Sequence, residues 1–181
     1  MRHLLENSVI TRKIFSLCLG FNGGMFNLGA VNSTKHFQNN EIRYLDYIAD
    51  ELYKVKLKEI VVGEYSVKAN VLSGLDTGTT NTYFPRAIFE EFFKMLKETC
   101  SQQNACFGDI LKVNDEICIY KKKGVTQNDF YYSMPIFSFI FHGNFTYEWK
   151  ALSYLYKGKG LQEFCMNIHQ WEYIYFLYKI A

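Results

Sequence analysis

The chain has almost no excess of charge of either sign. Its 181 residues carry 20 Lys plus Arg against 18 Asp plus Glu, which argues against a nucleic-acid binder, where a concentrated basic face is expected. The single basic run, Lys121-Lys122-Lys123 before Gly124, reads as a solvated turn. No apolar segment is long enough to span a bilayer. Met1 to Ile14 is interrupted by Arg2, Glu6, Arg12 and Lys13, so it lacks the apolar stretch of a signal peptide. Internal repeats and low-complexity linkers are also missing, and the length suits one domain or one lobe of a larger protein. Zinc-type spacing is absent as well. The five cysteines, at positions 18, 100, 106, 118 and 165, contain no Cys-x-x-Cys, and His36, His142 and His169 are scattered. No metal or other cofactor is therefore expected. One or two disulfides with at least one free thiol is the better reading of the cysteines. Cys18 and Cys118, set in apolar runs, read as buried thiols.

What the chain does have is apolar and aromatic bulk. Nearly half of it, 49%, is hydrophobic, with 16 Phe and 14 Tyr, residues that favour strands and thick cores. Disorder is excluded on that composition. Ile14 to Phe21, then Asn22-Gly23-Gly24, then Met25 to Leu28 reads as a hairpin. Residues 32–40 read as a polar loop. Tyr53, Val55 and Leu57 alternate with Lys54, Lys56 and Lys58, the period of a half-buried strand. Tyr65 to Asn70 continues as a strand toward Asp76. A helix is expected near 85–98, opened by Pro85, capped by Thr82 or Asn81, and carrying an apolar face of Ile88, Phe89, Phe92, Phe93 and Leu96. Further strands are expected at Ile117 to Tyr120, Phe130 to Tyr132, Ile136 to Phe141 and Leu152 to Tyr156. The fold class is mainly β with one or two short helices. Asn32-Ser33-Thr34 and Asn144-Phe145-Thr146 are acceptor triplets for N-glycosylation.

The chemistry concentrates at Gly74-Leu75-Asp76-Thr77-Gly78-Thr79-Thr80. An acidic residue among small ones, behind Val71-Leu72 and Leu75, reads as a strand ending in a tight turn. Gly78 supplies φ freedom and lets other groups approach closely, and Thr77, Thr79 and Thr80 offer hydroxyls. The plainer reading, Asp76 as a turn cap, fits the same residues.

The flanking segments carry a resemblance. Phe15-Ser16-Leu17-Cys18-Leu19 and Gly23-Gly24-Met25-Phe26-Asn27-Leu28-Gly29 resemble a strand pair of the pepsin-like aspartic proteases. Tyr53-x-Val55-x-Leu57-x-x-Ile60-x-Val62 resembles the strand before that family's second catalytic aspartate. Leu75 to Thr80, with Thr82-Tyr83-Phe84-Pro85 after it, resembles the aspartate loop of the membrane-associated and plant-type branches. Pro135-Ile136 leading to Phe139-Ile140-Phe141, and Trp149 with Ser153-Tyr154-Leu155-Tyr156 and Cys165, resemble later strands. The matches keep their order along nearly the whole chain. They imply the C-terminal lobe of a pepsin-like bilobal acid protease over 1–168, followed by a divergent apolar tail, 169–181, expected to promote misfolding or association.

The resemblance implies an aspartic-type endopeptidase acting on peptide or protein substrates, with Asp76 as one catalytic carboxyl and Thr77, Gly78, Thr79 and Thr80 supporting the loop. It implies pairing of Cys106 with Cys165, with Cys100 as a competitor for either, and a secretory, lysosome-like or membrane-associated location. It also exposes departures. The first Asp-Thr/Ser-Gly loop and the flap hairpin of the N-terminal lobe are not present, Ala151 replaces a proline after Trp149, and the Gly-ended triplet that braces the aspartate loop is not found beyond Ile168. The chain thus reads as truncated at both ends and inactive alone. Its partner would be an N-terminal lobe or, less favoured, a second copy about a twofold axis. The alternatives are a non-catalytic peptide-binding β-domain and a nonfunctional gene fragment.

Overall fold

The computed structural model describes residues 1–20, 23–31, 44–49, 53–102, 105–113, 115–171 and 174–176. The chain divides into a unit over Met1–Arg43 with Ile180–Ala181 and a larger unit over Tyr44–Lys179. In the first, a one-turn helix α1 (Arg2–Glu6) precedes the expected hairpin, β1 (Phe15–Gly20) against β2 (Gly23–Leu28). The pair is antiparallel, with Phe15 opposite Leu28 and Gly20 opposite Gly23. Gly29, which closes it, sits at φ 76, and a Cβ there would lie 2.9 Å from the buried Ile10 side chain. Only glycine meets both demands. Cys18 is exposed on β1, not buried as its apolar neighbours suggested. The residue 32–40 loop and Asn32 lie outside the described residues.

The larger unit is built on β3 (Tyr47–Ala49), β4 (Tyr53–Val62) and β5 (Tyr65–Leu75). Val55, Leu57, Ile60 and Val62 are all buried, although strict alternation would bring residues 59 and 61 inward after 57. A register shift between Leu57 and Glu59, seen against both neighbouring strands, resets the phase. Such a bulge adds one residue and keeps the apolar set on one face. Tyr53, at the start of β4, is exposed rather than inward.

Across the turn at Asp76 comes β6 (Thr82–Phe84), and then α2 (Arg86–Gln102). The helix begins at Pro85, whose carbonyl accepts from the Phe89 N–H at 2.9 Å. The expected cap, Thr82, is instead a buried residue of β6. Ile88, Phe89, Phe92, Met95, Leu96 and Thr99 form the buried face, close to the predicted stripe. The helix runs on past 98 because no Gly or Pro interrupts it.

β7 (Gly108–Val113) and β8 (Glu116–Lys121) follow, then α3 (Gln127–Ser133). A strand was expected at Phe130 to Tyr132. The helix forms because Thr126 caps it: its hydroxyl oxygen accepts from the Asp129 N–H at 3.1 Å, and its hydroxyl donates to the Asp129 carboxylate at 2.7 Å. β9 (Phe137–Phe141) and β10 (Thr146–Trp149) form a hairpin. Residues 152–156 split into a one-turn helix α4 (Ala151–Tyr154) and a short β11 (Leu155–Lys157), where one strand was expected. β12 (Glu163–Met166), β13 (Ile168–Gln170) and β14 (Ile174–Phe176) complete the order. Among the described residues there are four helices, more than the one or two expected.

Two sheets result. One runs β10-β9-β4-β5-β14-β6-β13 with β3 added to β4, and the other β11-β12-β8-β7. Their buried faces and α2 share one core. The abundance of Phe and Tyr finds its use there. Phe84, Phe92, Phe137, Tyr154, Trp149 and Phe139 form a closed circuit of rings, with successive centroids 5.5, 4.6, 5.2, 5.4, 5.5 and 6.3 Å apart. Tilted and edge-on contacts of this kind add roughly 0.5–1.5 kcal/mol per pair beyond area burial. The fully buried Tyr154 hydroxyl donates to the Pro135 carbonyl at 2.7 Å.

The apolar tail enters the larger sheet. β14 lies between β5 and β6, parallel to the first with Phe176 opposite Leu75, and antiparallel to the second with Tyr175 opposite Tyr83. It therefore ties together the two strands that flank the Asp76 turn. The sequence shows no familiar bracing triplet there, yet backbone pairing needs no particular side chain.

Candidate active site

Asp76 is held at the end of β5, where Leu75 is the last paired residue, and the chain turns through residues 77–81 before β6. One carboxylate oxygen, Oδ1, accepts from the Gly78 N–H at 2.9 Å. The other, Oδ2, accepts a short bond from the Thr79 hydroxyl. Both bonds favour the ionised form. The Thr79 hydroxyl, with the Gly78 N–H second, holds the Asp76 carboxyl below the usual carboxylate range, against a small opposing effect of burial. A nearby carboxylate would push the pKa the other way. No acidic group contributes to this titration among the described residues.

Gly78 is needed for proximity. It does not adopt a positive φ, contrary to the conformational freedom read from the sequence. A Cβ on it would stand 3.3 Å from Asp76 Oδ1, so a side chain here would press on the carboxylate it serves. Thr77 and Thr80 are exposed, and neither bonds the carboxylate among the described residues. Of the three threonines, the structure brings only Thr79 to Asp76.

Beside this turn, the β6–β13 pairing gathers residues that the sequence left scattered. Parallel register sets His169 opposite Tyr83, and the Tyr83 ring lies 5.8 Å from His169 and 6.0 Å from Trp171. The Trp171 N–H donates to the Phe84 carbonyl at 2.8 Å. His169 also stands 3.6 Å from Glu116, whose carboxylate accepts the Tyr156 hydroxyl at 3.1 Å. Burial, with that bond second, raises the Tyr156 pKa to about 12. Nothing periodic in the sequence links positions 83 and 169; only the strand pairing does.

The cysteines pair differently from the expectation of Cys106 with Cys165. Cys100 bonds Cys106, and Cys118 bonds Cys165. The reason is register: β12 runs antiparallel to β8 with Cys165 directly opposite Cys118. Cys106 follows α2 closely enough to meet Cys100 near the helix end. Cys118 is therefore a half-cystine and not the free thiol its surroundings implied. Glu116 lies with Cys118 and Cys165 in the one close group of His, Cys, Asp and Glu among the described residues. Their sulfurs are bonded to each other and offer no thiolate to a cation.

Asn144 is exposed in the β9–β10 turn. Two surface cavities, each of about 330 Å³, lie between Tyr131, Ile136 and Leu152 and between Cys100, Asp109 and Lys122. Neither is lined by the Asp76 turn.

A family model described as eukaryotic aspartyl protease matches residues 1–172. No curated protein matches the chain.

Proposed function

The chain belongs to the eukaryotic aspartyl protease family, and from that premise we propose that it supplies one carboxylate, Asp76, to an aspartic-type endopeptidase. In such chemistry two carboxyl groups a few ångströms apart share one proton, because both cannot ionise cheaply. The ionised member draws a proton from a water between them. The protonated member hydrogen-bonds the scissile carbonyl, and a proton later passes to the leaving amine. The Gly78 and Thr79 bonds orient Asp76 and favour its ionised form, and as one member of the dyad it shares the single proton with its partner. Thr79 positions the carboxylate, Gly78 admits the close approach, and Thr77 and Thr80 support the loop toward the opposing lobe. The substrate is a peptide or protein, and the reaction calls for no cofactor.

The observation that carries this reading is a carboxylate presented on a tight turn, held by two hydrogen bonds, with no acidic neighbour in its titration. The second carboxylate then belongs to another lobe, of which residues 1–168 are the C-terminal counterpart, with β14 (Ile174–Phe176) of the following segment bridging β5 and β6. A twofold pair of this chain is the less favoured source. No described helix is long and apolar enough to cross a membrane, and two disulfides fit an oxidising compartment. The disulfides and the family support a secretory, lysosome-like or membrane-associated location.

Hydrolysis of a protein substrate at acidic pH tests the reading. The 181-residue chain alone should be silent at every concentration, and a two-lobed protein carrying it should lose hydrolysis on Asp76→Asn. Undiminished cleavage by that variant would overturn the assignment. Cleavage by the chain alone that rises with the square of its concentration and disappears on Asp76→Ala would replace the second lobe with a second copy. Peptide binding without cleavage in the two-lobed protein would leave a non-catalytic binding domain.

A further inference from the structure

We propose that Asn144 carries an N-linked oligosaccharide. The triplet Asn144-Phe145-Thr146 falls at the tip of the β9–β10 hairpin. Gly143 and Asn144 both take positive φ, 87 and 60, so the chain reverses sharply at the acceptor. The Phe141 N–H donates to the Phe145 carbonyl at 2.8 Å and closes the turn. The Phe145 ring packs 6.0 Å from Phe141 and is half-buried, while Asn144 and Thr146 on either side of it are exposed. The acceptor amide and the hydroxyl two residues on are thus both open to solvent. An oligosaccharide on Asn144 stays outside the core once the chain has folded, so it is tolerated there.

The chemistry is a transfer from a lipid-linked pyrophosphoryl sugar donor. The Asn144 Nδ2 attacks C1 of the terminal N-acetylglucosamine. The Nδ2–C1 bond forms as the C1–O bond to pyrophosphate breaks, the lipid pyrophosphate leaves, and Nδ2 gives up one proton. The same oxidising compartment that closes Cys100–Cys106 and Cys118–Cys165 holds such donors.

This site acts independently of the peptidase reading, and its test does not use activity.

The chain, fused behind a cleavable leader and followed by an added acceptor triplet as a translocation reporter, is translated into microsomes. With the reporter occupied, the wild type should show an additional endoglycosidase-sensitive mobility step. Asn144→Gln and Thr146→Ala should each lose one step. Asn32→Gln should leave the Asn144 step in place, read as Asn-to-Asp conversion at 144 after enzymatic deglycosylation. An occupied reporter with no difference between wild type and Asn144→Gln would overturn the site.

Discussion

Removing the two disulfides one at a time should cost unequal amounts, and the inequality comes from topology. Cys118 and Cys165 are separated by 47 residues, Cys100 and Cys106 by six. A cross-link stabilises by restricting the unfolded chain, and the restriction grows with the logarithm of the loop it closes. For the longer loop that entropy is worth about 4 kcal/mol at room temperature, and for the shorter one about 2 kcal/mol. The Cys118→Ala/Cys165→Ala variant should therefore lose about twice the stability of Cys100→Ala/Cys106→Ala in denaturant melts. The pairing itself can be read from an unreduced tryptic digest. Cys100 and Cys106 share the peptide that runs from Glu98 to Lys112, so their bond joins no two peptides. Cys118 and Cys165 lie on different peptides, Val113 to Lys121 and Gly160 to Lys179, which should appear cross-linked. A cross-link between the Glu98 and Gly160 peptides, or equal losses in the two double variants, would refute the register of β8 against β12.

Three further outcomes follow from individual side chains. Thr79→Val removes the main bond that depresses the Asp76 pKa, so carbon-detected NMR should find that carboxyl shifted upward toward its ordinary range; no upward shift would contradict the bond. The sign for stability is fixed by the same depression: the contribution of Asp76 is present above the ordinary carboxylate range, is lost as pH falls through its lowered pKa, and shrinks in Thr79→Val. Thr99 is buried on α2 with its hydroxyl unpartnered among the described residues, and Thr99→Val, of nearly the same shape, should raise stability by about 1 kcal/mol in urea melts; a loss of that size would show a hidden partner. A chain ending at Trp171 lacks β14, so amide exchange at Leu75 and Tyr83 should accelerate while Ile117 and Ile119 stay protected; unchanged exchange at 75 and 83 would show that the tail does not tie the Asp76 turn.

Much of the fold is legible in short stretches of sequence. β4 announces itself by alternation, α2 by an apolar stripe recurring every three or four residues behind Pro85, and the Asp76 turn by small residues after an apolar run. Legibility fails where two local codes compete. Phe130 to Tyr132 is too short and apolar to choose between strand and helix, and the Thr126 cap decides it. It fails again where a bulge shifts the phase within β4, since only the partners on both sides reveal the extra residue.

The sequence by itself determined the residue types and their order: a strand-rich aromatic core, one carboxylate on a tight glycine-containing turn, and the ordered motifs of the aspartyl protease family. Those are local properties, set by what each few residues can bury and how the backbone can bend. Tertiary structure alone decided which distant residues meet. It paired Cys118 with Cys165, closed six rings into a circuit, set His169 beside Tyr83, and drew an apolar tail between β5 and β6. The cysteine pair, the His169–Tyr83 contact and the tail depend on strand register, and the ring circuit adds the packing of α2 and α4 on the sheet. Register is a matter of one residue's offset between segments tens of residues apart, and no local pattern records that offset.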